Sequence, residues 1–483
     1  MISKQSNPLL AEAASHWHAM SDFRSRRDRC KRYCYGRQWD DVIEVDGRRM
    51  REEDYIRSQG NIPLKNNLIR RMVRSILGVF RNQYAFPPAA ALRLDSGSEA
   101  DALLYRRLLL NASYNRLDEL HARTMEEFLI SGLAVHRKTF SRTAGEHLPE
   151  AGVLRTDYVA PDSFFIDASA RDFRGWDVRM VGQLHDLDFG RLCASLAESD
   201  DDCRRLREIY LGDGAASAAA GQVFGDPAGA RGFHTPSAPG LCRVIEVWHK
   251  EVRGRYRVHD PATGRIYKVE ADRRPLLPEG VRLQWMADEV WSYAFLAPTG
   301  EVLAEGESPF PGGGHPYVWR AYPYIDGEIH SFVADVIDQQ RHTNRLITLY
   351  DWVLRSTAKG VLLFPESALP DGVEIDDISD EWSRFNGVIL FRPKAGVPLP
   401  QQVCGNASNV GITDLLDIQL KMFEDVSGVN SALEGKVTGG NVSGALYDRQ
   451  TRQAMTALLD ILESYNSFAR EGALLDARLL SPG

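Results

Sequence analysis

The sequence predicts an α+β fold, and three observations carry that reading. The first third holds apolar residues at helical spacing. The middle alternates short β-branched and aromatic runs with turn residues. The last third returns to long helices separated by glycine-rich breaks. At 483 residues the chain can bury large cores and is expected to hold about two to four modules.

Residues 9–36 read as one helix rich in Ala and Arg, broken by Gly36-Arg37-Gln38-Trp39-Asp40. Pro63 and Asn66-Asn67 precede a helix over 68–82, where Leu68, Met72, Val73, Ile76, Leu77 and Phe80 keep helical spacing. Arg70, Arg74 and Arg81 gather on another side, and basic residues outnumber acidic ones between 22 and 82. That excess is either a patch for DNA or a partner, or a solvated face with salt bridges between subunits. A third helical stretch spans 98–133, through Leu103, Leu104, Leu108, Leu109, Tyr114, Leu117, Phe128 and Leu129, and breaks at Gly132.

Strand texture is expected from Val153 to about Tyr324, as in the run from Arg243 to His249. A helical segment over 187–210 interrupts it, as does a Gly-, Ala- and Ser-rich segment over 212–240 that reads as a flexible surface insertion. A long helix follows over 329–357, closed by Lys359-Gly360. Short strands are expected over 361–364 and 388–391. Between them lie Glu366, Asp371, Glu374, Asp376, Asp377, Asp380 and Glu381, with no Lys or Arg among them. A helix over 412–426, a Gly- and Ser-rich loop over 428–444 and a final helix from Ala445 complete the chain.

The net charge of −8 lacks the basic excess of a sequence-reading nucleic-acid binder, so if the chain meets DNA it does not grip it over most of its surface. No apolar run approaches the roughly 20 residues that cross a bilayer, and the N-terminus lacks a secretory signal; the protein is expected to be made and to stay in a cytoplasm. The six cysteines are scattered, so no disulfide framework is expected, and Cys30 and Cys34, one helical turn apart, read as packing.

Residues 428–438 superficially resemble a phosphate-binding loop. However, six residues separate Gly428 from Gly435-Lys436, and Val437 occupies the place of the magnesium-binding hydroxyl. No His-Glu-x-x-His motif occurs, and Gly440-Asn441-Val442-Ser443-Gly444 is not a nucleophile elbow. The carboxylates over 366–381 form either a solvated face or a divalent-cation site. No catalytic residue, cofactor or metal is expected.

The ordered features carry a resemblance. Asp326-Gly327 precedes a long helix holding Asp338, Gln339 and Asn344; Ala358-Lys359-Gly360 follows it; then come Ser427-Gly428-Val429-Asn430 and Ser443-Gly444-Ala445. In the N-terminal half stand Gly36-Arg37-Gln38-Trp39, Asn66-Asn67-Leu68-Ile69, Pro161 with Phe164-Phe165 and Asp167, and Glu246-Val247-Trp248. Together, over nearly the whole chain, these resemble podovirus-type portal (head-to-tail connector) proteins of tailed bacteriophages.

The resemblance implies a wing over 1–328, a first stem helix over 329–357, a clip over 358–411, a second stem helix over 412–428, a tunnel loop over 429–444 and, over 445–483, a long helix toward a short or truncated crown. It implies a non-enzymatic homo-oligomeric ring, a dodecamer, at one capsid vertex of the virion, assembled in the host bacterial cytoplasm. Double-stranded DNA would enter and leave through it. Terminase large subunit, capsid, scaffold and adaptor or tail proteins would dock on it, and the motor, not this chain, would hydrolyse ATP.

Duplex DNA carries one charge per about 1.7 Å of axis, so a basic wall would trap it where a neutral or acidic wall would let it slide. Screening confines the effect to about 8 Å. On the 412–426 helix, Asp414, Asp417, Lys421 and Glu424 share one side; Ile412, Leu415, Leu416, Leu420, Met422, Phe423 and Val426 are expected to supply its packing surface. The charged stripe either lines the channel or is an ordinary solvent face. Lys436, Thr438 and Asn441 are candidates for transient phosphate contacts, and Glu374, Asp376, Asp377 and Asp380 for partner docking. On the first stem helix, Phe332, Val336, Ile347, Tyr350 and Val353 would be poorly covered in a monomer. Two other classes stay open: another oligomeric virion protein such as an adaptor, and a phage nuclease using the acidic clip to bind metal.

Overall fold

The computed structural model describes residues 7–83, 99–141, 153–212, 232–261, 263–270, 280–310, 313–359, 361–369, 372–383, 388–393, 396, 398–403, 411–429 and 444–480. Along the chain these form α1 (Pro8–Ala19), α2 (Ser21–Cys34), β1 (Val42–Val45), β2 (Arg48–Arg51), α3 (Glu52–Ser58), α4 (Leu68–Gln83), α5 (Glu99–Asn115), α6 (Leu117–Ser131), β3 (Leu133–Ser141), β4 (Val153–Tyr158), β5 (Phe164–Ile166) and β6 (Met180–Leu187). There follow α7 (Phe189–Leu196), α8 (Asp200–Leu211), β7 (Cys242–His259), β8 (Ile266–Glu270), β9 (Arg282–Leu296), β10 (Val302–Glu307), β11 (Tyr317–Ala321), β12 (Tyr324–Ile325) and β13 (Glu328–Ile329). The remainder is α9 (Ile337–Lys359), β14 (Val361–Leu363), α10 (Ile375–Ser383), β15 (Gln401–Val403), α11 (Ile412–Ser427) and α12 (Gly444–Leu480). The fold is mixed α+β, as the sequence predicts. It divides into two units: Met1–Lys31 with Val73–Ala334 and Ser431–Gly483, and Arg32–Met72 with Asp335–Asn430.

The larger unit is built on antiparallel sheets. One has the strand order β10-β9-β7-β6-β5, with β8 also paired to β7; another has the order β11-β3-β4. Residues 242–248 of β7 are buried without alternation, which places protein on both faces, whereas exposed positions recur beyond them. Helix α1 covers the sheet with Leu10, Ala13 and Trp17, spaced for one helical face. Asn7 caps it by accepting from Leu9 N at 3.0 Å. The Trp17 ring meets Phe165 edge-on at 6.2 Å. Phe164, Phe165, Val181, Ile245 and Val247 join that core, and each large apolar side chain buried there contributes about 1.5–3 kcal/mol.

Several expected boundaries move. The helix over 9–36 is two helices interrupted at Met20, whose N–H bonds back to Trp17 O at 3.1 Å. The stretch over 98–133 is split by Arg116, which adopts a left-handed φ of 46°. Strand texture starts at Leu133 rather than 153, immediately after Gly132. Only glycine fits there: φ is +79°, and a Cβ would stand 1.7 Å from His330 O. The segment over 187–210 is a pair of helices, α7 and α8. Of the insertion over 212–240, residues 213–231 lie outside the described residues.

In the smaller unit α9 packs against α11. The long helix expected over 329–357 starts at Ile337, not 329: Ile329 pairs in β13, and Ala334–Val336 is a 3-10 turn. The strand expected over 388–391 is absent. Val361–Leu363 pairs instead with Gln401–Val403, which satisfies that edge, while Val388 and Leu390 remain 72% and 77% exposed. Gly428 ends α11 in the left-handed region, φ 65°.

Candidate functional site

Three of the strings that carried the resemblance, those holding Gln38, Asn66-Asn67-Leu68-Ile69 and Asn344, converge within the smaller unit. Gln340 Oε1 accepts from the first amides of α4, Leu68 N at 2.9 Å and Ile69 N at 3.2 Å, and so satisfies donors that no helical carbonyl can reach. Its Nε2 donates to Asn66 O at 2.7 Å and to Asn344 Oδ1 at 3.0 Å. Asn344 Oδ1 also accepts from Asn66 N at 3.0 Å, and its Nδ2 donates to Gln38 Oε1 at 2.7 Å. Gln38 Nε2 donates onward to Asn67 Oδ1 and Tyr33 O. Gln38, Gln340 and Asn344 are fully buried, so this network fixes the residues around 38, the start of α4 and the start of α9 as one polar core. Gln339, singled out from sequence, is not the connecting residue; its neighbour Gln340 is. Beside the network, buried Glu52 holds Arg341 at 3.1 Å and Arg345 Nε at 2.8 Å.

On this core the helical pair presents two faces. Of the residues expected to pack α11, Ile412 and Phe423 are buried. Leu415, Met422 and Val426 are instead about half exposed, as is Ile418, and these four form one stripe at spacings of three and four. Val336, just before α9, is buried and Phe332, also before it, is partly covered, as are Ile347, Tyr350 and Val353 on the helix itself; among its described side chains the exposed large apolar ones are Leu349, Trp352 and Leu354. The expectation fails in its assignments because helical spacing marks an apolar face without showing whether the same chain supplies its partner.

Asp414, Asp417 and Lys421 are exposed, whereas Glu424 is half-buried with Arg71 Nη2 at 3.7 Å. Lys436, Thr438 and Asn441 lie outside the described residues. Glu374, Asp376, Asp377 and Asp380 are all exposed at or before α10, where Asp377 Oδ2 accepts from Glu374 N at 3.0 Å. Among the described residues no group of three or more His, Cys, Asp or Glu could hold a metal ion. Cys30 and Cys34 are buried thiols, and Arg70 Nη1 donates to Cys34 Sγ at 3.8 Å. Part of the basic excess between 22 and 82 is internally matched. Arg27 lies 2.7 Å from Glu127 and 3.6 Å from Asp162, and Arg81 3.1 Å from Glu119. Sequence reading missed these partners because they stand far along the chain.

Among the described residues the larger unit buries several charge sites, the Arg243–Asp186 pair at 2.6 Å among them. Glu246, from the Glu-Val-Trp string, accepts from Trp248 Nε1 at 2.8 Å and faces Arg137 at 3.0 Å and His185 at 2.7 Å. Burial alone would raise its pKa, but Arg137 and His185 outweigh it and hold the carboxyl at about 2. Lys138 donates to Thr156 Oγ1 and to Asp476 of α12, each at 2.9 Å, beside His121, His136 and Tyr465. These contacts are structural in character: each charged or polar group is closed off by its partner.

The phage P22-like portal protein family matches residues 11–473. The chain belongs to that family. The match runs through both units, from α1 to α12, and makes the protein a phage portal by family. No curated protein matches the chain. No helix among the described residues of this portal is long and apolar enough to cross a membrane.

Proposed function

We propose that the chain assembles into a closed ring, a dodecamer, at the capsid vertex of the virion, and that double-stranded DNA is packaged and ejected through its centre. The observation that carries this is the uncovered apolar surface of the smaller unit: Leu349, Trp352 and Leu354 on α9, and Leu415, Ile418, Met422 and Val426 on α11. Large apolar side chains left exposed in a stripe along a helix mark an association site, and a repeated head-to-tail contact whose rotation closes gives a ring. In this reading α9 and α11 are the stem helices, residues 358–411 the clip, residues 1–328 the wing and 429–444 the tunnel loop.

Asp414, Asp417, Lys421 and Glu424 then border the channel. Their mixed, mildly acidic charge gives phosphates no deep trap, which suits sliding. Lys436, Thr438 and Asn441 are the loop's phosphate contacts. The exposed acids Glu374, Asp376, Asp377 and Asp380 are the docking face for terminase large subunit and, after packaging, adaptor or tail proteins. Capsid and scaffold proteins contact the wing, assembly takes place in the host bacterial cytoplasm, and the chain itself carries no catalytic step.

Negative-stain electron microscopy of the size-exclusion peak tests the reading. Rings with a hole wide enough for a duplex are expected. A monomer that stays unassembled even with scaffold and capsid protein would remove the ring. Assembly without a central hole would favour an adaptor-like virion protein instead.

A further inference from the structure

The larger unit carries a pocket of about 480 Å³ that the portal reading does not use. Its walls come from the turn between β5 and β6, from β7, β9 and β11, and from the end of α12. Three tryptophans, Trp176, Trp291 and Trp319, line it together with His315, Lys250 and Arg478. Lys250 bridges two of these residues: its Nζ lies 5.4 Å from the Trp291 ring centroid and donates to the backbone carbonyl of Trp176 at 3.4 Å. His315 meets Trp291 edge-on at 4.7 Å. Trp319 packs against Gly175, which has φ +73° and where a Cβ would fall 2.8 Å from the indole. Trp176 is 71% exposed, an unusual state for so large an apolar ring.

The charge is one-sided. Glu471, the acid in the lining, is taken by Arg320 at 3.3 Å, and Arg174 by Asp172 at 2.9 Å. Lys250 and Arg478 have no carboxylate partner among the described residues, so two cations are left for an incoming anion. His315 stays neutral, its Nδ1 accepting from Tyr317 N at 3.3 Å, and so leaves an N–H for a neutral acceptor. Flat π-surface beside uncompensated cations suits a ring that bears an anion. The volume, at the low end of small-ligand clefts, fits one such unit rather than an extended peptide.

We propose that this pocket binds a nucleotide, its base against the tryptophans and its phosphate on Lys250 and Arg478. The nucleotide is either a free nucleoside phosphate or the phosphorylated end of a single strand. The site uses none of the channel residues proposed above, and the inference does not depend on ring formation.

Calorimetric titration of the full chain tests it, with monomer and assembled fractions run separately. The probes are dAMP, deoxyadenosine, a 5′-phosphorylated hexadeoxyadenylate and the peptide Asp-Trp-Asp. Saturable binding of dAMP is expected, about tenfold tighter than that of deoxyadenosine because the phosphate bonds are charge-assisted. Trp176→Ala and Arg478→Gln should each weaken it about tenfold with unchanged circular dichroism and melting temperature; both side chains are exposed, so folding survives. Equal affinity for dAMP and the hexamer assigns the free nucleotide, and a tighter hexamer assigns the strand end. The proposal is overturned by no saturation below about millimolar dAMP, by both variants binding like the parent chain, or by the peptide binding more tightly than either nucleotide.

Discussion

Lys138 Nζ lies 2.8 Å from Asp476 Oδ1, with both side chains almost wholly out of water. The pair joins β3 to the last turns of α12 across 338 residues of chain. Burial pushes the lysine's pKa down and the aspartate's up, and only their mutual attraction opposes both shifts. Removing one partner strands the other. Asp476→Ala should therefore cost about 3–5 kcal/mol in urea unfolding, whereas Lys138→Met with Asp476→Leu should come close to neutral. A single-variant cost under about 1 kcal/mol would sink this account.

Acid should weaken the same region through histidine. Burial first, then the charge of Lys138, holds the pKa of His121 down at about 3, and burial first, then His121 and Lys138, holds that of His136 well below its ordinary value of 6.5. Below 6.5 the unfolded chain binds protons that these folded rings refuse. Stability is thus full above that pH and falls toward 3, by up to about 1.4 kcal/mol per pH unit for each proton. His121→Phe should flatten the slope between about pH 5 and 6.5. Glu246 works lower: its contribution is present above 4.5 and lost as pH falls toward 2. Glu246→Gln should leave the upper window's slope unchanged. Denaturant titrations at stepped pH separate the two, and an unaltered slope in His121→Phe would count against the histidine assignment.

Elements with a marked apolar pattern were legible. Leu68, Met72, Val73 and Ile76 mark the buried face of α4 by helical spacing, and Val244, Ile245 and Val247 mark β7 by a β-branched run. The break at Arg116 was not, since a non-glycine left-handed residue has no strong sequence signal. Nor was the start of β3, where Gly132 reads as a helix stop without showing that His330 crowds it. The site was legible as strings and not as contacts: Gln38, Asn66 and Asn344 were marked, but their meeting required 306 residues of folding between Gln38 and Asn344.

Gln339 and Gln340 offer a test between neighbours of identical chemistry. Gln340 makes four hydrogen bonds, to Leu68, Ile69, Asn66 and Asn344. Gln339 has a buried Oε1 with no partner. Gln340→Ala leaves the Ile69 amide unanswered in the interior, while Leu68 N keeps its bond to Asn66 O, and should cost about 1–3 kcal/mol, as a buried unsatisfied group does. Gln339→Ala should cost less than about 1 kcal/mol. Equal losses would mean that the network does not hold the start of α4.

The stripe on α11 separates folding from assembly. Ile418 and Met422 are about half exposed within one chain, so replacing them removes little intrachain packing. If the stripe is the face that neighbouring copies cover, a charge placed on it is desolvated at every contact around the ring, and the penalty recurs with each subunit. Ile418→Asp and Met422→Lys should each shift the protein from ring to monomer by analytical ultracentrifugation, while the monomer's unfolding midpoint moves by less than about 1 kcal/mol in free energy. Asp417→Ser, on the charged side of the same helix, should leave assembly intact. Rings formed by both charged variants would mean that the apolar stripe faces something other than a neighbouring copy.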